Sequence, residues 1–412
     1  MTELKQIISK MKVLTTILLL AIALISCTGK DNTEVKNNNE NHSVDRDNEK
    51  EDIKDKDQVD TNDKEDKNNN EKDNNEKDNN SINNEEDNEK QEHTTKENNN
   101  IDDKVEIDYQ KIKPNELGHI MVIMYHGISD NPPYHVTEKQ FLEDLEYMYE
   151  NGYRPISMRD YIDNNINIEA GYTPILLTFD DGLSSTFSLV EQDGKLVPKT
   201  GTAIEILERF SKEHDGFDNK AALYINAYSI FDGAGTVEER ISWLANNGYD
   251  VGNHTSSHAE NQMLSRLSSR QIMEHIGIVD QIIKNAVPNY TVDSLAYTFG
   301  NRPVKALRNL VEDGKYNDVS YHYEVALKEG PSGPYLPPLH KSFNNLNVPR
   351  ARGSKGDIQD MWWFFDFYEK HPSKKYISDG NVNRVSILKK DEDKINKDKL
   401  GDKELYLYEI EE

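Results

Sequence analysis

Three short apolar runs stand out along the chain: Ile120 to Tyr125 (IMVIMY), Pro174 to Phe179 (PILLTF) and Ala221 to Ile225 (AALYI). Each has the length of a strand and is bounded by Gly, Pro or charged residues, the pattern of a buried strand. Between and after them the spacing predicts amphipathic helices. Thr137 with Gln140 makes a capping box ahead of Phe141, Leu142, Leu145 and Met148, which share one helix face. Thr236 with Glu239 does the same for a helix through Trp243 and Leu244, and Ser268 with Gln271 opens one carrying Ile272, Ile276, Val279 and Ile283. Strands alternating with helices predict an α/β domain with a mainly parallel sheet, open or closed into a barrel. In such folds reactive groups gather at the carboxyl ends of the strands.

This pattern is missing before residue 106. From Lys30 to Lys104 the chain is almost entirely Asn, Asp, Glu and Lys, with no aromatic residue and 26 acidic against 13 basic side chains. Apolar burial there cannot offset the entropy lost on ordering, so an extended coil is expected, with a reach of roughly 45–50 Å. The stretch supplies half of the formal net charge of −26. Such an excess of negative charge excludes nucleic acid as a partner, because phosphate binding needs a basic footprint.

At the start, Lys5, Lys10 and Lys12 precede an apolar run from Val13 to Ile25, the layout of a secretory signal. The run is shorter than the roughly 20 residues of a spanning helix. It ends in Leu24-Ile25-Ser26-Cys27, which resembles the lipobox of bacterial lipoproteins. That resemblance implies lipidation of Cys27 and anchoring to the extracytoplasmic face of the cell membrane. Cys27 is the single cysteine, so neither an intramolecular disulfide nor a cysteine-based zinc site can form, and a metal must be held by His and carboxylate. The expected organisation is a signal peptide over 1–26, a lipidated linker over 27–105 and one folded domain over 106–412.

Two elements carry candidate chemistry. Leu176 to Gly182 (LLTFDDG) sets two adjacent carboxylates at the end of a buried strand, where a turn into Gly182 can aim both at one cleft. Carboxylates so close need a cation, or one must protonate. Gly252 to His258 (GNHTSSH) follows Tyr249 and Val251 and holds two histidines at i and i+4, expected on one face of a helical turn. Taken singly, Asp-Gly also fits a plain turn and the histidines a solvated one. Thr255 stands where a His-Glu-x-x-His zinc protease has its glutamate, which excludes that chemistry. Together, one aspartate and two histidines complete a three-ligand set for a catalytic divalent metal, leaving the other aspartate as a base.

Thr178-Phe179-Asp180-Asp181-Gly182 followed by His254-x-x-x-His258 resembles the first two motifs of the polysaccharide deacetylases, carbohydrate esterase family 4. The resemblance runs from about His119 to Gly380 and implies a distorted, incomplete (β/α) barrel. It implies Asp180 as the catalytic base and Asp181, His254 and His258 as metal ligands; imidazole and carboxylate donors point to zinc first, with cobalt or nickel able to substitute. Leu295 to Gly300 (LAYTFG) looks like the third motif, which implies the Phe299 N–H in an oxyanion hole with Tyr297 beside the substrate. Ala296 stands where one form of that motif has an arginine bracing the base, leaving Arg302, Arg350 and Arg352 as candidates for that role. Met124-Tyr125-His126-Gly127 is similar to the branch acting on poly-N-acetylglucosamine, which implies His126 as the acid. Leu339-His340 is the one candidate for the late Leu-x-His motif, and Gln192 to Gly216 reads as an inserted loop and helix.

The expected function is metal-dependent N-deacetylation of N-acetylhexosamine residues in a cell-surface or wall polysaccharide, by a monomer. Peptidoglycan and poly-N-acetylglucosamine both stay open as substrates. Tyr297, Trp362 and Trp363 are candidates for stacking on sugars, although Trp362-Trp363-Phe364-Phe365 on a helix equally fits a core. The rival expectation is a carbohydrate-binding lipoprotein that keeps the fold without turnover, favoured by the missing arginine at Ala296.

Overall fold

The apolar runs become barrel strands β1 (Met121–Tyr125), β3 (Thr173–Phe179) and β4 (Ala222–Ile225) of a computed structural model that describes residues 107–131, 134–330, 333–356 and 359–411. The signal segment, Cys27 and the linker to residue 105 lie outside the described residues. The sheet is completed by β2 (Tyr153–Pro155), β5 (Asp250–Asn253), β6 (Ser294–Ala296), β7 (Val325–Lys328), β8 (Val348–Pro349) and β9 (Ala351–Arg352). Every pairing within it is parallel. Strand β3 is shared on one edge: its first half pairs with β2, Tyr153 opposite Thr173, and its last residues with β4, Thr178 opposite Ala222.

The two ends of the sheet are joined by the chain itself. Strand β8 pairs with β7, Leu327 opposite Val348, and β9 pairs with β1, Ile123 opposite Ala351. Arg350 is the one residue between β8 and β9, so residues 348–352 form the seam of a nearly closed, distorted barrel. Alternate strand residues enter two cores, as the two-residue period requires. Val122, Leu176, Tyr224, Ala296, Leu327 and Val348 pack inside the barrel. Ile123, Leu177, Leu223, Leu295, Ala326 and Ala351 face the helices. Burial on both sides is why β1, β3 and β4 read as unbroken apolar runs.

The crossover helices are α1 (Glu138–Glu150), α2 (Met158–Ile162), α3 (Ala203–Glu213), α4 (Val237–Asn246) and α5 (Ser269–Ala286), with α6 (Met361–Lys370) following β9. All three expected capping boxes are formed, by Thr137 and Gln140, Thr236 and Glu239, and Ser268 and Gln271. On α1, Phe141, Leu145 and Met148 are fully buried, each worth about 1.5–3 kcal/mol of transfer free energy.

One expectation is corrected here. Helix α3 is not an insertion: Ala203, Ile204, Ile206, Leu207 and Phe210 are buried in the same core as Phe179 and Leu223, so it is the crossover between β3 and β4. The added piece is the antiparallel hairpin of Ser188–Gln192 and Lys195–Pro198. Helical periodicity reports which face is buried, and it does not say whether the helix belongs to the barrel. The late Tyr376 to Gly380 stretch is structural. Buried Asp379 accepts hydrogen bonds from Arg384 Nε and Ser386 Oγ, each at 2.6 Å, and Glu116 accepts from the backbone N–H groups of Asp379 and Ser386.

Candidate active site

Asp180 follows the last residue of β3 and continues the inward alternation of Leu176 and Thr178. Its side chain is 2% exposed and meets Arg350, which is fully buried, in a two-pronged pair: Nη1 donates to Oδ1 at 2.7 Å and Nη2 to Oδ2 at 2.6 Å. Arg350 Nη1 also donates to Thr178 Oγ1 at 3.1 Å, and the guanidinium sits 6.0 Å from the Tyr224 ring centroid. Burial alone would push the Asp180 carboxyl up, but the adjacent Arg350 charge overrides it and holds the group well below the usual carboxylate range. The place left open at Ala296 is therefore filled from the barrel seam. Of the other two candidates, Arg302 donates to Asn347 Oδ1 at 2.7 Å and Arg352 to Asp360 Oδ1 at 2.9 Å.

Asp181 leaves the strand with φ of 73° and Gly182 follows with φ of 58°. A Cβ at Gly182 would lie 2.2 Å from the Ser229 carbonyl oxygen, so this turn takes glycine alone. Asp181 Oδ1 thereby comes within 3.3 Å of His254 Nε2 and 3.7 Å of His258 Nε2. The expected helical turn is not formed: His254 lies just beyond β5, Thr255 adopts φ of 59°, and a loop returns His258 until the imidazole centroids are 5.6 Å apart. Two asparagines that sequence reading passed over hold this loop. Asn226 Nδ2 donates to the carbonyls of His254 and Thr255, while Asn253 Oδ1 accepts from the Thr255 N–H.

The donors suit a divalent ion. One atom from each of Asp181, His254 and His258 lies within 4.8 Å of the others, where ligands on a tetrahedral ion with bonds of about 2.1 Å stand roughly 3.4 Å apart. His254 Nδ1 lies 2.8 Å from the Ala296 carbonyl, and a proton placed there leaves an Nε2 lone pair directed at Asp181. Asp181 Oδ1 is buried and has no hydrogen-bond partner among the described residues. Acceptors facing one another in a buried site are what a cation would satisfy.

These groups line a cleft of about 240 Å³ with His126, Tyr134, Tyr297, Phe299 and Glu329. His126 Nε2 is 3.9 Å from Asp181 Oδ2, and its Nδ1 is buried without a partner among the described residues. Burial lowers the His126 pKa, with the charges of Asp180 and Asp181 acting in the opposite sense. Phe299 sits in a turn closed by the Gly300 N–H donating to the Tyr297 carbonyl at 3.0 Å; its φ is 55° and its ring lies 4.0 Å from that of His258. Asp181, Thr255 and Phe299 thus put one left-handed non-glycine residue into each motif loop, a strained conformation that the surrounding packing must hold.

Several expected contacts are absent from the cleft. Tyr297 is 1% exposed and donates its hydroxyl to the Leu346 carbonyl, so it is a wall and offers no free face for stacking. Trp362 donates to Asp144 at 2.6 Å and Trp363 packs on Phe364 and Phe367 along α6; neither lines the cleft. His340 lies outside it too, bridging to Ile395 and accepting the Ser342 N–H.

Residues 168–317 match the family model described as polysaccharide deacetylase. Over that stretch the chain is similar to a polysaccharide deacetylase domain. Its relative YxkH of Bacillus subtilis, named for the same family, is 22% identical over 207 residues, which are 49% of this chain and 64% of the relative. The chain therefore spans under two thirds of that relative's length. Among solved structures, the polysaccharide deacetylase BC0361 from Bacillus cereus is similar at 18% identity and a TM-score of 0.44, over 61% of this chain and 69% of that one. IcaB from Ammonifex degensii is similar at 15% identity and a TM-score of 0.42, over 62% of this chain and 97% of that one.

Replacing Arg350 by Met should strand the buried Asp180 charge and lower the unfolding free energy by about 3–5 kcal/mol in denaturant titrations. Adding Asp180→Asn to that variant should recover part of the loss. An Arg350→Met protein as stable as the unaltered one would show that the pair does not hold the seam.

Proposed function

We propose that the domain is a metal-dependent hydrolase that removes acetyl groups from N-acetylhexosamine residues of a cell-surface or wall polysaccharide. The observation that carries this reading is a buried carboxylate, Asp180, kept ionised by Arg350 beside an Asp-His-His donor set in one cleft. Simple sugar binding has no use for an ionised carboxylate next to a cation site. The rival reading of a silent binding protein drew on the missing arginine at Ala296, and Arg350 supplies that contact from the seam between β8 and β9.

Held at Asp181, His254 and His258, a divalent ion, zinc foremost and cobalt or nickel in its place, would polarise the acetyl carbonyl and acidify the attacking water. Asp180 accepts that water's proton, and the two-pronged contact with Arg350 keeps its carboxylate plane fixed. The backbone N–H of Phe299 donates to the oxygen that becomes negative as the tetrahedral intermediate forms. His126 then protonates the nitrogen as the C–N bond breaks, since an amine leaves poorly as an anion. Burial lowers the His126 pKa, which makes its charged form the stronger acid towards that nitrogen.

The roles of Asp180 and His126 separate in one kinetic experiment. Asp180→Asn should keep the bound metal yet lose roughly 10² or more in turnover on every substrate. His126→Ala should slow N-acetyl substrates much more than an activated ester, whose leaving group needs no proton. Near-normal turnover by Asp180→Asn would remove it as the base, and equal losses on amide and ester would remove His126 as the acid.

The sequence also supports a lipid anchor at Cys27, which would hold the domain outside the cell membrane at the end of its linker. A Cys27→Ala variant should be released into the medium or remain an unprocessed precursor. Recovery of that variant in membranes at the processed size would contradict the anchor.

A further inference from the structure

Within the proposed deacetylase cleft, Glu329 has no part in the reaction just described. It follows β7 directly and lines the cleft beside the third-motif turn, where a Cβ built on Gly300 would lie 3.0 Å from the Glu329 Cβ. Tyr134 lines the same cleft, reaching over from the loop after β1, and its ring is 5.0 Å from that of His126; the Glu329 charge raises the pKa of its hydroxyl. Glu329 therefore belongs to the mouth of the cleft, next to the groups assigned to the departing nitrogen.

Charge distinguishes it from the other acids there. Asp180 is neutralised by Arg350, and Asp181 faces the histidines of the donor set. Glu329 has no ion pair among the described residues, and the guanidinium of Arg352 is paired with Asp360 at 2.9 Å. His135 lines both this cleft and a second cavity of about 490 Å³, which adds Asp130, Asp144 and Asp360. The lysine of that cavity, Lys355, is 2.7 Å from Glu143 and so is also paired. A polymer laid across the mouth would meet the Glu329 carboxylate beside the reacting sugar.

We propose that Glu329 is a specificity-determining residue that favours hexosamine polymers with free, cationic amines beside the acetamido sugar and disfavours polymers with carboxylates there. This rests on the deacetylase reading. Its chemistry is one of charge: an ammonium on a neighbouring sugar finds a carboxylate that has no ion pair among the described residues, whereas a carboxylate on that sugar is repelled by it. Each deacetylation leaves an amine, so the product sugar becomes a favourable neighbour for the next substrate sugar.

The test compares three oligosaccharides of equal length: fully N-acetylated, partly de-N-acetylated, and N-acetylated with carboxylates on the flanking sugars. Binding is measured calorimetrically at about pH 6, where most sugar amines are charged, in the His126→Ala background, which slows turnover of N-acetyl substrates and leaves the Asp180–Arg350 pair intact. The amine-bearing oligomer should bind about tenfold more tightly than the carboxylate-bearing one, and Glu329→Gln should bring the two within about twofold. Equal affinities before the change, or a ratio that Glu329→Gln leaves intact, would overturn the assignment. Acetate release by the unaltered protein is followed in parallel. Its absence from all three oligomers, with the binding ratio present, would overturn the deacetylase reading and leave the selectivity of Glu329 standing.

Discussion

A buried arginine at the barrel seam binds a buried aspartate across the interior, and the site depends on that pair. Arg350 is the residue at which the chain passes from pairing with β7 to pairing with β1, so its backbone is held from both sides. Its guanidinium grips both oxygens of Asp180. Removing two such charges from water is expensive, and only good geometry makes the pair tolerable. Closure of the barrel and ionisation of the proposed base are thereby one structural fact: a barrel open at residues 348–352 would leave Asp180 buried without a counter-charge.

The same economy extends around the cleft. Thr178 accepts from Arg350 and donates to the Ile123 carbonyl, linking the pair to β1. The Ala296 carbonyl lies against His254 Nδ1 and sets the ring that faces Asp181. The side chain of Ala296 packs inside the barrel while its backbone carbonyl faces the Asp-His-His donor set, so a small residue there is compatible with that arrangement. Asn226 and Asn253 hold the loop that carries both histidines. What remains unsatisfied, Asp181 Oδ1 above all, is concentrated where a cation and a substrate would enter.

The legibility of these features follows from physical range. Strands β1, β3 and β4 are visible because burial on both faces leaves them wholly apolar, and the helix starts because capping is local. Strands β8 and β9 are two residues each, too short for any periodicity, and β5 is Asp-Val-Gly-Asn. The Asp and His residues of the motifs are legible as residue types, since few side chains can hold a metal. Their conformations are not: nothing local announces the left-handed Thr255 that turns an expected helical pair into a loop pair. Arg350 could be named only as one of three candidates, because its partner is 170 residues away and the contact exists only once the sheet has curled round. Glu329 and Tyr134 escaped for a similar reason, being brought together from the loops after β7 and β1.

The central claim is that Asp181, His254 and His258 hold a divalent ion without which the domain does not hydrolyse N-acetyl groups. The most direct measurement is acetate release from an N-acetylglucosamine oligomer by the purified protein, before chelation, after chelation, and after adding back zinc, cobalt or nickel, with metal content determined at each stage. Release should disappear with the metal and return with about one ion per chain, and the double variant His254→Ala, His258→Ala should regain neither the ion nor the activity. Undiminished release from protein shown to be free of metal would contradict the account.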